Sequence, residues 1–287
     1  MAAALQPLSV DDSASSSGRL LSANAALDAA ARLWFASALL GQWVFLYYIA
    51  GFYDAATLRG DFALWNKNTH LLKGYVVGDT AGNLAFAAHV LLAAIVTFGG
   101  ALQLLSQSRV RFHLVHRWNG RLFLVTAIAG AVSGLYMVWV RGSRANLTAG
   151  LATSVDAALI ITFALLAWRA ARARAFRTHR SWALRTWIVA SGVWFQRVGI
   201  FAWTTLDPAA IGMTKAFDGW FDLSWAFGCY LLPLAILETY LRVKDRGGPR
   251  SRYVMAAALF FLTAAMAFGV YAAYMFVWRH ALYRVGA

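Results

Sequence analysis

The sequence is poor in acid, in proline and in cysteine. Twelve Asp and Glu stand against 26 Lys and Arg in 287 residues, a formal charge of +14. Four prolines leave long stretches without a helix breaker, and the single cysteine, Cys229, excludes an internal disulfide framework. No His-Glu-x-x-His or Cys-x-x-Cys pair occurs, and the short glycine clusters lack the strand-then-helix context of a phosphate-binding loop. These absences leave no soluble catalytic domain to assign. The surplus of base does not read as nucleic-acid binding either, because it is strung along short loops rather than gathered on one domain.

What is abundant is apolar. Hydrophobic residues make up 61% of the chain and charged ones 13%, with a mean hydropathy of +0.57. That balance belongs to an integral membrane protein with the lipid bilayer as its first partner, and 13 Trp and 11 Tyr suit anchoring at two interfaces. Seven runs of about 20 residues are long enough to cross the hydrocarbon core as helices. They begin near Ala31, Gly82, Asn119, Leu151, Ser181, Phe221 and Tyr253. The expected fold is an all-α polytopic membrane helix bundle of seven transmembrane helices over residues 31–280. A disordered or interfacial tail, residues 1–30, precedes it with no signal-peptide pattern, and a short tail, residues 281–287, follows.

Charge gives the orientation, since short basic loops stay in the cytoplasm. The loops after the second, fourth and sixth runs carry Arg109, Arg111 and Arg117, then Arg169 to Arg180, then Arg242 to Arg252, and are richer in base than the alternate loops. With an odd number of spans, the N-terminus is expected inside and the C-terminus outside. A faint duplication is visible as well: AAIVTF at 93–98 reads like ALIITF at 158–163, and each precedes a basic loop ending in His-Arg.

Six ionisable residues fall within the runs, where each costs roughly 2.5 to 3.5 kcal/mol at mid-membrane and so marks function or a buried pair. His89, Asp156 and Arg197 lie toward the outer side and form an expected polar cluster, with Asp156 and Arg197 neutralising each other if their helices adjoin. Arg121, Arg185 and Glu238 lie near the inner side, with Glu238 expected to pair with one of the two arginines.

The segment HLVHRWNGR, residues 113–121, opens the third run with His116-Arg117, and THRSWALR opens the fifth with His179-Arg180. A helix N-terminus is already positive, so base placed there twice asks for an anion, such as a lipid phosphate, a haem propionate or a carboxylate. Two imidazoles entering one bundle core from the same side are a sufficient axial ligand set for haem b, with Arg117, Arg121 or Arg180 reaching its propionates. The plainer reading makes both pairs interfacial anchors for anionic lipid.

HVLLAAIVTFGGALQLL, RVRFHLVHRWNGRLF and FRTHRSWALRTW together resemble the recurring blocks of an uncharacterised, largely bacterial membrane family, domain of unknown function number 2306. The resemblance covers about residues 82–197. It implies a polytopic protein of a bacterial cytoplasmic membrane and no particular activity. The layout is also similar to cytochrome b561-like proteins, which bind two haems across four helices. His89, His116 and His179 match three of the four ligands that similarity implies, while the fourth helix offers Thr153, Ser154 and Asp156 instead of an imidazole. Three functions follow as expectations: electron transfer with a haem between His116 and His179 and an unidentified redox partner, a transporter or lipid-handling protein with a polar outer cavity at His89, Asp156 and Arg197, or an assembly subunit without chemistry.

Overall fold

The computed structural model describes residues 10–68, 73–104 and 112–286. His70, Arg109 and Arg111 lie outside them. Ten α-helices are described, and no strand: α1 (Val10–Ile49), α2 (Ala55–Leu58), α3 (Thr80–Leu104), α4 (His113–Trp139), α5 (Leu147–Arg172), α6 (Phe176–Ala190), α7 (Gly192–Leu206), α8 (Trp220–Arg246), α9 (Pro249–Ala273) and α10 (Arg279–Gly286). Six helical segments are long and apolar enough to cross a membrane: Leu21–Leu58, Thr80–Leu104, His113–Trp139, Leu147–Arg172, Trp220–Arg246 and Pro249–Tyr283. The chain is therefore an all-α polytopic membrane protein, and exposed Leu40, Leu84, Leu122, Leu151 and Phe261 form part of its apolar outer surface.

Each of these helices starts before the apolar run that announced it. A run marks only the stretch that fits hydrocarbon, whereas the helix continues into the polar interface; α4 begins at His113, not Asn119. At the N-terminus the difference is largest. Residues 10–30, expected as a tail or surface helix, are continuous with the first span, and Ala23, Leu27 and Ala30 are buried, the last two in a cluster with Met255, Ala256 and Leu259 of α9.

The fifth run forms two helices, α6 and α7, divided at Ser191 (φ −86°, ψ 2°). Each has 15 residues, too few to span alone. α6 runs along α5, where His179 meets Ala167 and Trp182 is tilted against Phe163, and α7 begins where Gly192 faces Asp156. Ser191 joins a third element, since its Oγ accepts a 2.8 Å bond from the buried Gln42 of α1.

Close approach organises the centre. α3 packs on α4, α4 on α5 and α5 on α6, while Gly100 of α3 admits Phe123 of α4 and Trp187 of α6; a Cβ there would stand 2.8 Å from each ring. These four helices form a ring with α4 and α6 on its diagonal. Asn119 donates to the Gly99 carbonyl at 2.9 Å and Gln103 to the His116 carbonyl at 2.7 Å, so WNG and GGALQ are two sides of one helix seam. The remaining helices close around this ring, α1 against α9 and α7 against α8 and α9.

Candidate functional site

At the end of the bundle bearing the basic loops, His116 and His179 occupy equivalent places. Each is the fourth residue of its helix, and its N–H bonds to the residue before the helix, Phe112 at 2.9 Å and Ala175 at 2.8 Å. The helices thus begin three residues before the His-Arg pairs, which lie at the end of the first turn. Both imidazoles are half-buried. His116 lies seven residues before Phe123 and His179 eight before Trp187, so both stand about two turns inward of the contact at Gly100. The Nδ1 of His179 lies 2.9 Å from the Ala167 carbonyl oxygen of α5.

The three arginines expected around a propionate are exposed, and none makes an ion pair among the described residues. Arg121 stacks on Trp118 at 4.8 Å, while Arg117 and Arg180 extend from the same helix ends. Glu238 is engaged elsewhere: Arg185 grips it through Nε at 2.6 Å and Nη2 at 2.9 Å, a bidentate pair, and also lies over Trp182. The carboxylate expected to pair with Arg121 or Arg185 thus meets Arg185.

The structure does not gather the outer cluster into one site. His89 lies in the α3–α4 seam, its Nδ1 3.2 Å from the Gly130 carbonyl and 3.0 Å from Ser133 Oγ. Asp156 and Arg197 make no ion pair. The Asp156 carboxylate faces Gly192 at the start of α7; Arg197 lies five residues on, roughly 140° around that helix by its 3.6-residue turn, over Phe45 of α1. The body of α7 stands between them. Arg197 makes one hydrogen bond, to its own helix at the Val193 carbonyl.

Sequence reading missed Arg141. Its side chain is 4% exposed and knots the segment before α3 to the end of α4. Nε meets Asp79 at 2.8 Å, Nη2 meets the Gly74 carbonyl at 2.9 Å and Asn83 at 2.8 Å, and Nη1 meets the Lys73 carbonyl. The Lys73 ammonium donates in return to the Arg141 carbonyl at 3.0 Å. The Arg141 guanidinium holds the Asp79 carboxyl below its ordinary value, helped by the Gly82 N–H. An arginine one residue past an apolar run gives no local sign of this role.

The comparisons bear on the middle of the chain. One family model, described as a predicted membrane protein (DUF2306), matches residues 86–221. The resemblance to that family is shown. The DUF2306 match begins within α3 and ends at the second residue of α8, so it takes in the four-helix ring, both His-Arg pairs, Asp156 and Arg197, and leaves out α1 and α9. No curated protein and no solved structure matches the chain. The DUF2306 description names a membrane and no chemistry.

Proposed function

We propose that the chain is a membrane electron-transfer protein that holds one b-type haem at the inner end of the four-helix ring, with His116 and His179 as its axial ligands. The carrying observation is the His179 imidazole, whose Nδ1 lies 2.9 Å from the Ala167 carbonyl. Nδ1 must be the donor there, which fixes the tautomer and leaves the Nε2 lone pair for a metal, the orientation that ligating histidines adopt. His116 stands at the matching position of the diagonal helix. The donor set therefore fits the group.

The chain's own residues do the rest of the work. The Ala167 carbonyl holds one ring, the buried Phe123 and Trp187 close the interior over Gly100, and apolar spans keep bulk water away. Arg117, Arg121 and Arg180 offer unpaired positive charge where carboxylates would emerge, and the same charges suit anionic lipid headgroups. Haem bound there would be held by His116 and His179 and would supply one-electron chemistry.

Protein purified in detergent from haem-replete cells is expected to show a Soret band. His116→Ala and His179→Ala should each abolish the band, and His89→Ala should leave it. A colourless wild-type protein overturns the proposal.

A further inference from the structure

The geometry points to Asp156 as a proton-binding carboxyl within the membrane, reached from the outer face through a cleft between α5, α7 and α8. It stands apart from the haem proposal and uses none of its residues.

A cleft of about 70 Å³ lies between these three helices, its lining including Asn146, Ala149, Gln196, Asp222, Trp225 and Ala226. That is room for a few water molecules. Every wall continues inward to the same place. Asp156 lies seven residues below Ala149 on one face of α5, Gly192 one turn below Gln196 on α7, and Cys229 one turn below Trp225 and Ala226 on α8. Gln196 thus lies one turn outward of Gly192 on α7, and Ala152, whose carbonyl meets the Tyr230 hydroxyl, one turn outward of Asp156 on α5.

The carboxylate at the bottom is unanswered. Its Oδ1 is sealed from solvent and meets no donor among the described residues, and its Oδ2 stands 3.2 Å from where a Cβ of residue 192 would lie. Only glycine at 192 leaves that space open. On α8, Pro233 has no N–H, so the Cys229 carbonyl one turn earlier loses its helix donor and becomes an acceptor for water. The titratable groups acting with Asp156 are the Cys229 thiol and the Tyr230 phenol of α8, and the phenol donates to the Ala152 carbonyl at 3.1 Å. Arg197 faces away across α7, and α4 and α6 bring no charge against the acid among the described residues.

An isolated carboxylate inside a span is costly, and no cation among the described residues pairs with it. A hard metal ion would need about six oxygens, whereas no group of three metal-ligating side chains occurs among the described residues. A proton needs one. Water in the cleft delivers it, an O–H bond forms on the carboxylate, and the neutral acid remains until outer water takes the proton back.

The test is infrared difference spectroscopy on the full chain in sealed, uniformly oriented liposomes, with external pH stepped at fixed internal pH. A carboxylic-acid C=O band should rise as the outside is acidified. Asp156→Asn should lose it, and Ala149→Trp, which fills the cleft, should slow it without reducing its amplitude. A band that persists in Asp156→Asn, answers only internal pH, or follows sodium at constant pH overturns the assignment. If Asp156→Asn does not fold, Asp156→Glu decides: the band must shift in frequency, and an unshifted band overturns the assignment equally.

Discussion

A charged residue in an apolar run is visible to anyone reading a sequence, but its partner is not, because partnership depends on which way each helix face is turned. Glu238 and Arg185 meet as expected. Asp156 and Arg197 do not, because α7 presents Gly192 to one and carries the other on its far side. The Arg141 knot was illegible for a different reason: its partners lie 58 to 68 residues away, and two of the four are backbone carbonyls, which leave no trace in side-chain pattern. Arg141→Ala strips those acceptors of a buried donor and is expected to cost about 2 kcal/mol, read as a lowered midpoint of thermal unfolding. The knot also sets an acid dependence. The folded pKa of Asp79 lies below the ordinary 3.8, so its stabilising contribution is whole above 3.8 and is lost as pH falls through the lowered folded value. Unfolding midpoints measured down that range should drop in the wild type, and the drop should be smaller in Arg141→Ala.

At the scale of elements, apolar length found the spans and missed the break at Ser191. VASGVW did hold a sign, since an adjacent serine and glycine inside a helix is a recognised place for a bend. What length cannot supply is the reason the bend persists. α6 packs mainly on α5 and α8, whereas α7 packs on α8 and α9, and Gln42 of α1 pins the joint through Ser191. Gln42 is 2% exposed, and its Oε1 meets no donor. Ser191→Ala takes away the one acceptor its amide has and should cost about 1 kcal/mol in lipid or detergent unfolding. Adding Gln42→Leu to that variant should restore most of the loss, because an apolar pair leaves nothing unsatisfied. Were the double variant no more stable than the single, the bond would not be what holds the joint. The His-Arg echo, by contrast, was legible at this scale: two helices starting alike place their histidines alike, one turn in.

For the whole molecule, the question is how many times the chain crosses the bilayer, and the packing of its first and last spans bears on it. α1 and α9 run parallel: Asn24 reaches Arg252, Ser22 lies 2.8 Å from the Tyr253 hydroxyl, and farther along Tyr48 stacks on Trp278. Two parallel spans at the ends of a chain require an odd number of crossings. Six segments qualify by length, and a seventh crossing made by α6 and α7 together is the expectation that a topology measurement tests. Arg169, Arg172, Lys244 and Arg246 fall in the last turns of α5 and α8, at the end that the positive-inside tendency would keep in the cytoplasm. A fluorescent protein fused to the N-terminus should therefore fold in the cytoplasm and fluoresce, while alkaline phosphatase fused after Ala287 should be exported and active. Moving the phosphatase to a truncation after Gly247 should silence it, because that end faces inward after the sixth crossing. Phosphatase active after Gly247 and silent after Ala287 would mean that α6 and α7 turn back within the membrane as a re-entrant pair, leaving six crossings.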